Sequence, residues 1–165
     1  MDYNSTKSLK EHGFEGFETI GSMMDNSCKN VPCEQGIYFV LNLDLTKDFL
    51  TESTGGWFKK RNPSVEQYIL EQNWVDNTLI LNMGKAGGSE SSATLNSRLR
   101  QYMQFGRGKA VGHWGGRLIW QLSNSSDLTI CWKILPNDEP RDIERAFIQD
   151  FYRVFGKRPF ANLTG

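Results

Sequence analysis

The sequence predicts an α+β domain with a small central sheet of three strands flanked by helices. Three apolar runs bounded by Gly, Pro or polar residues are typical of buried strands, at about 36–43, 78–83 and 128–135. Two amphipathic segments, 93–104 and 140–155, repeat their apolar residues at helical spacing. A chain of 165 residues has the length of one domain, so we expect a single domain over residues 1–165.

Residues 1–33 are predicted to form an N-terminal helical cap that ends near Pro32. The insertion at residues 44–76 separates the first two strands and is far too long for a hairpin turn. Within the insertion, Asn62 and Pro63 have the residue types of an N-cap and a first helical position, which predicts a helix through about Gln72.

The second strand leads into Gly84 and Lys85, then a small-residue loop, then the helix at 93–104. Arg98 and Tyr102 lie one turn apart on one edge of its apolar face, and Arg100 points the other way. A lysine at a strand end would therefore face an arginine and a phenol across a short loop, which suits a phosphate group. A solvated helix edge above a core remains the alternative.

Positive charge is concentrated in one part of a chain whose formal net charge is zero. Residues 82–120 hold six basic residues and one acid, Glu90. This asymmetry favours a polyanion partner, although basic segments of this size also arise by chance. The side chains we expect to contact nucleic acid are Arg100, Arg107, Lys109 and Arg117.

The final helix, about 140–155, places a carboxylate on its apolar side. On a helical wheel Glu144 falls between Phe151 and Phe155, inside the apolar stripe. Burying a lone charge is expensive, so this carboxylate must be paired, protonated or bound to a metal. Pairing with a core arginine and binding of a metal both remain open on this observation alone.

Several short motifs occur in one order between residues 34 and 165. They are Gly36-Ile37-Tyr38, Asn82-Met83-Gly84-Lys85-Ala86, Arg98 and Tyr102 in LNSRLRQY, Glu144, and Asn162. Together they resemble the GIY-YIG nuclease superfamily, most closely the nuclease domain of the bacterial nucleotide-excision-repair incision subunit. The resemblance implies a three-stranded, mostly antiparallel central sheet. The chain departs from the pattern at Asn82, where the family has a tyrosine, and in its long insertion.

The resemblance implies a divalent-metal-dependent endonuclease that hydrolyses phosphodiester bonds in DNA, with Mg²⁺ or Mn²⁺ as cofactor. Tyr38 would orient or deprotonate the attacking water, with Lys85 or the metal lowering its pKa. Arg98 would neutralise charge on the phosphoryl oxygens, and Tyr102 would hydrogen-bond the phosphate or the water. Glu144 would be the metal ligand. The two remaining candidate catalytic residues, which match later polar positions of the family, are His113 and Asn162.

Two other functions fit the same sequence. Asn82 favours a catalytically impaired module that binds nucleic acid without cutting it. The insertion could instead contact a protein partner through its aromatic and basic run, Trp57-Phe58-Lys59-Lys60-Arg61. No run of about 18 apolar residues and no signal pattern occurs, so we expect no membrane association and a cytoplasmic location.

Overall fold

The computed structural model describes residues 1–164 and is of the predicted α+β class. Its sheet has four antiparallel strands in the order β1-β4-β2-β3. The strands are β1 Glu15–Thr19, β2 Gly36–Leu41, β3 Ile80–Ala86 and β4 Thr129–Ile134. The helices are α1 Thr6–Glu11, α2 Ile20–Asp25, α3 Gln67–Asn73, α4 Leu95–Gly106 and α5 Pro140–Phe155. Two 3₁₀ helices cover Arg117–Gln121 and Ser125–Asp127.

The prediction of three strands is wrong by one, because the N-terminal segment contains an edge strand as well as helices. Gly13 ends the region of α1 with a φ of 87°, and Gly16 has a φ of 91° within β1. Left-handed backbone of this kind interrupts a helix and suits a bulged strand. β1 is indeed irregular between Gly16 and Glu18, where its register against β4 shifts. The 1–33 cap is therefore two short helices separated by a strand.

The central strand β2 is buried along its whole length and divides the interior into two cores. Alternate side chains of a strand point to opposite faces. Tyr38 and Val40 accordingly pack with residues of α4, and Ile37, Phe39 and Leu41 pack with residues of α5. The predicted bounds of α5 are confirmed. Helix α4 begins later than predicted because Thr94 and Ser97 form a capping box.

The insertion is mostly irregular, and its helix begins four residues later than Pro63. The predicted N-cap at Asn62 is wrong because the backbone at Val65 is held by a side chain from elsewhere. Oε1 of Gln121 accepts a hydrogen bond from the Val65 N–H at 2.9 Å, and its Nε2 donates to the Val65 carbonyl at 2.8 Å. These bonds keep residues 62–66 out of the helix. No helix within residues 1–164 is long and apolar enough to cross a membrane.

Candidate functional site

A cleft of about 760 Å³ opens beside the edge strand β3. Side chains from β2, β3, α4, α5 and the C-terminal segment meet in it. The predicted catalytic residues that line this cleft are Tyr38, Lys85, Arg98, Glu144 and Asn162. Four separate elements and a terminal segment thus bring a phenol, two cations, a carboxylate and an amide to one concave surface.

Tyr38 forms the inner wall of the cleft and is only 2% exposed. Its hydroxyl is hydrogen-bonded to Nε2 of His113 at 3.2 Å. Burial raises the pKa of this phenol, and the nearby charge of Arg98 opposes the rise. We expect Lys85 or a bound metal to lower this pKa. Among residues 1–164 the cation that opposes the rise is Arg98, and the phenol of the protein alone is neutral.

Gly84 makes room for the Tyr38 ring. The two residues face each other across the β2–β3 ladder. A Cβ atom at Gly84 would collide with the ring and hydroxyl of Tyr38. Packing therefore explains the glycine in the motif Asn82-Met83-Gly84-Lys85-Ala86, since any larger residue would push the phenol of Tyr38 away from its place in the cleft wall.

His113 lies behind Tyr38, fully buried and outside the cleft. Its ring stacks on that of Tyr102, with centroids 3.9 Å apart and an interplanar angle of 13°. Burial, helped by the charge of Arg98, holds the pKa of His113 well below its usual range, so the imidazole is neutral. Its Nδ1 has no hydrogen-bond partner within residues 1–164. The histidine can therefore reach a substrate only through Tyr38.

Tyr102 also lies behind the cleft, and both hydrogen-bonding functions of its hydroxyl are used. The hydroxyl donates to the carbonyl of Gly116 at 2.7 Å and accepts from Nδ2 of Asn82 at 3.3 Å. Gly116 has a φ of 78°, and a side chain there would displace this pair. The predicted contact between Tyr102 and a phosphate or water is thus replaced by a buried structural network.

Arg98 is half-buried in the cleft wall and is anchored by one end of its guanidinium group. Its Nη1 donates to Oε1 of Gln101 and to the carbonyl of Gly112, both at 3.1 Å. The guanidinium also lies beside the Tyr38 hydroxyl, whose pKa it lowers through its charge and a hydrogen bond. The N–H groups that these contacts leave over can bind an anion in the cleft, in the forked geometry that suits a phosphate.

Glu144 is half-buried on α5 and lines the same cleft. Burial raises its pKa, and the charges of Lys85 and Arg98, then of Arg141 and Arg145, oppose the rise. None of these cations is within 4.0 Å of the carboxylate in the part of the chain that the structure describes. A core arginine partner, the alternative to a metal, is therefore not found there.

Asn162 has a structural role that accounts for both of its polar groups. Its Oδ1 accepts from the Met83 N–H and its Nδ2 donates to the Met83 carbonyl, both at 2.8 Å. The Ala161 N–H donates to the Leu81 carbonyl at 2.8 Å. These bonds fasten the C-terminal segment along β3, so Asn162 shapes the cleft floor rather than offering a free amide to a substrate.

The donor set of the cleft fits a hydrated divalent cation held by one carboxylate. No group of three or more His, Cys, Asp and Glu among residues 1–164 could enclose a metal. Mg²⁺ is commonly bound through one or two carboxylates, several waters and substrate phosphates. The carboxylate of Glu144 is partly buried, and burial raises its pKa. It makes no ion pair within residues 1–164. A partly buried carboxylate without a charged partner is suited to binding such a cation.

The four side chains expected to contact nucleic acid do not lie together. Arg117 lines the cleft. Arg100, Arg107 and Lys109 instead line a separate small groove beside Cys28. The predicted basic surface is thus divided between two places.

Sequence reasoning missed a second groove of about 910 Å³, which shares Lys85 and Glu144 with the cleft. Its other basic side chains are Arg141, Arg145, Arg153 and Arg158. The signal was the one-turn spacing of Arg141 and Arg145 next to Glu144.

The insertion supplies a further cleft residue that the sequence did not single out for this role. Arg61 lines the cleft, together with Trp114 and Arg117. Trp57, from the same run of the insertion, remains 58% exposed. The run predicted to meet a protein partner is therefore split, with one member directed at the cleft and another at solvent.

Comparisons with protein-family models, with curated proteins and with solved structures give no match. The GIY-YIG resemblance stays a prediction from the motifs. The chemistry of the cleft is therefore set by the groups that it brings together and by those that already hold the fold.

Proposed function

We propose that this protein is a divalent-metal-dependent endonuclease that hydrolyses phosphodiester bonds in DNA. The observation that carries the proposal is the convergence of Tyr38, Arg98, Lys85 and Glu144 in one cleft. These are the groups that phosphoryl transfer uses: a proton acceptor for water, cations for the phosphoryl oxygens and a carboxylate for a metal. The ordered motifs of the sequence support the same chemistry.

Arg98 binds the scissile phosphate in this proposal. Its anchored Nη1 fixes the guanidinium plane, and the guanidinium lines the cleft in which the phosphate would bind. Charge-assisted bidentate hydrogen bonds are among the strongest available to a phosphate. Because negative charge on the phosphoryl oxygens is stabilised by donors fixed in advance, Arg98 contributes to lowering the barrier.

Tyr38 and His113 handle the proton of the attacking water. Burial raises the pKa of the phenol, so a free phenolate is disfavoured and a relay is required. As the water oxygen forms its bond to phosphorus and the bond to the leaving oxygen breaks, the water proton passes to the Tyr38 oxygen. The phenolic proton passes to Nε2 of His113 across their 3.2 Å hydrogen bond. The leaving oxygen takes a proton from solvent, and His113 then returns its extra proton through Tyr38 to solvent, which restores the neutral pair.

Glu144 would hold Mg²⁺ or Mn²⁺. When bound, the ion would polarise the phosphoryl group and stabilise charge on the leaving oxygen. Lys85, which lines both the cleft and the adjoining basic groove, adds positive charge beside Glu144 and helps keep that carboxylate ionised. We also propose a cytoplasmic location, where exposed Cys33 would stay a thiol.

A plasmid-nicking assay tests the proposal. Wild-type protein is expected to nick DNA in Mg²⁺ or Mn²⁺, and Arg98→Ala is expected to lose at least about 100-fold of the rate. Arg100→Ala is the matched control, because Arg100 lies on the same helix but is exposed and lines another groove. Equal activity of wild type and Arg98→Ala would remove Arg98 from the mechanism. Absence of nicking by the wild type in either metal would refute the endonuclease.

A module that binds nucleic acid without cutting it is the second candidate. It is favoured by the burial of Tyr38 and His113, which makes the phenol a weak acid and the imidazole a weak base. Asn82 also supplies no ionisable group at the position where the family has a tyrosine. This candidate predicts salt-sensitive binding to DNA or RNA, with no nicking in either metal.

A further inference from the structure

Two arginines share one indole ring at the wall of the cleft. The guanidinium carbon of Arg61 lies 4.4 Å from the centroid of the Trp114 ring, and that of Arg117 lies 4.6 Å from it. Arg61 comes from the insertion between β2 and β3, and Arg117 begins a 3₁₀ helix after α4. The cation–π contacts therefore join two distant segments of the chain at one point.

The two positive charges are not balanced by nearby acids. Within residues 1–164, no carboxylate oxygen lies within 4.0 Å of a nitrogen of Arg61 or Arg117. The pKa of Arg117 is lowered, first by its partial burial and then by the charge of Arg61. Arg117 is half-buried, whereas Arg61 is exposed. Holding two like charges together, with one of them partly out of water, costs free energy, which an anion bound between them would recover.

This pair is separate from the cations around Glu144. Lys85 and Glu144 line both the cleft and the adjoining basic groove, whereas Arg61 and Arg117 line only the cleft and contact Trp114. One cleft thus contains two groups of cations, one around the catalytic carboxylate and one around Trp114.

Trp114 and Arg117 are held in place before any ligand binds, and the backbone of Arg61 is fixed beside them. Trp114 packs edge-on against Phe105, with ring centroids 6.3 Å apart. Nη1 of Arg117 donates to the Trp114 carbonyl at 3.4 Å, and the backbone N–H of Arg61 donates to the Phe58 carbonyl at 3.0 Å. A binding group that is fixed in advance loses less conformational entropy when its ligand arrives.

We propose that Arg61, Trp114 and Arg117 form a second phosphate-binding site, which holds a phosphate neighbouring the scissile one on the same nucleic-acid strand. The inference rests on the proposed function, because it assumes a polynucleotide in the cleft. It assigns the insertion a role in substrate binding: without Arg61, the site around Trp114 keeps only one of its two cations. Arginine is suited to this task because its planar group stacks on the indole while its edge donates to phosphate oxygens.

The test measures binding of a short DNA duplex over a series of salt concentrations, with Ca²⁺ replacing Mg²⁺ to prevent cleavage. Arg61→Gln and Arg117→Gln are each expected to weaken binding about ten- to a hundredfold. Each should also reduce the slope of log affinity against log salt by about 0.9, the value for one lost phosphate contact. Lys60→Gln is the matched control, since Lys60 is the exposed neighbour of Arg61 and does not line the cleft. The salt slope of Lys60→Gln should differ from wild type by less than the slopes of Arg61→Gln and Arg117→Gln do.

Arg61→Lys separates charge from packing. It keeps the positive charge but not the planar fork, so its salt slope should match wild type while its affinity falls. Wild-type slopes for both glutamine variants, or an equal change in Lys60→Gln, would overturn the second site while leaving an active nuclease intact. Wild-type protein that neither binds nor nicks DNA would overturn the proposed function and this inference together.

Discussion

The Tyr38 hydroxyl lies 3.2 Å from Nε2 of His113, although 75 positions separate the two residues in the chain. Both side chains are buried, and burial favours the neutral form of each. A neutral phenol bonded to a neutral imidazole can pass a proton without either group being charged at rest. The pair therefore couples the cleft wall to a buried histidine that no substrate touches.

Removing the Tyr38 hydroxyl should stop catalysis with a modest effect on the fold. We expect Tyr38→Phe to lose at least about 100-fold of the nicking rate, since positioned proton transfer contributes that much or more. The ring and its packing are kept. Circular dichroism and a thermal melt would establish that the variant is folded before its rate is compared with wild type.

Tyr102→Phe is the matched control for Tyr38→Phe. The hydroxyl of Tyr102 is equally buried but faces Gly116 and Asn82 rather than the cleft. Leaving the Gly116 carbonyl without its donor should lower the free energy of unfolding by about 1–3 kcal/mol. The nicking rate at a temperature well below the melt should fall by less than about tenfold. A Tyr102→Phe variant as inactive as Tyr38→Phe would restore the catalytic role that the motif implied for Tyr102.

Glu144→Gln should abolish nicking and yet stabilise the metal-free protein at neutral pH. Burial raises the pKa of Glu144 above its unfolded value, so the folded state binds its proton more tightly. Stability therefore falls as pH rises through the window between those two pKa values, and the loss persists above it. A glutamine removes this loss. Thermal melts of both proteins in metal-free buffer at acid and neutral pH measure the difference.

The same pair of proteins tests the metal assignment through stability as well as through activity. Mg²⁺ binding to the folded wild type alone should raise its stability by about 1.4 kcal/mol at ten times the dissociation constant. Glu144→Gln should show little response. Nicking by wild type should decline as pH falls toward the raised pKa, because the protonated carboxyl no longer binds the ion. An equal Mg²⁺ response from both proteins would place the ion elsewhere.

Gly84→Ala should damage the site without touching a catalytic group. The added methyl would collide with the ring and hydroxyl of Tyr38, which faces Gly84 across the ladder. Moving the phenol would break its bond to His113 and open the inner wall. We expect at least about 100-fold loss of nicking, comparable with Tyr38→Phe. Tyrosine side-chain NMR signals or a crystal structure would locate the displaced ring, and an unmoved Tyr38 would contradict this account.

The sequence predicted those helices and strands that have a clear apolar pattern of their own. The period of α5 located Glu144 inside an apolar stripe, and the apolar runs located β2, β3 and β4. β1 was missed because its five residues are exposed or half-buried and carry no apolar alternation. Only its pairing with β4 makes it a strand.

The site was predicted less completely because its details depend on contacts between distant segments. The motif order named Tyr38, Arg98 and Glu144, which do meet in one cleft. It could not indicate that the Tyr102 hydroxyl is used by Gly116, because that bond depends on the loop after α4. Nor could it place Arg61 in the cleft, since nothing in the insertion's sequence encodes which way an irregular segment folds.

One buried side chain bonds the insertion at several points, and this gives the last prediction. Gln121 is 1% exposed, and its amide makes four hydrogen bonds to the insertion backbone, to Leu50, Thr51 and both polar groups of Val65. Gln121→Leu keeps similar volume but leaves these backbone groups without partners. We expect a loss of about 2 kcal/mol or more in unfolding free energy.

Gln121→Leu should also loosen residues 44–76 in particular. Hydrogen exchange within the insertion should then accelerate more than exchange in the sheet, because local opening needs only that segment to detach. Because Arg61 is proposed to bind the substrate, loosening of the insertion in Gln121→Leu should weaken DNA binding about as much as Arg61→Gln does. Tyr38 and Glu144 should stay in place. A uniform increase of exchange throughout the sheet would show instead that Gln121 stabilises the whole core. It would contradict the prediction that the insertion opens independently of the sheet.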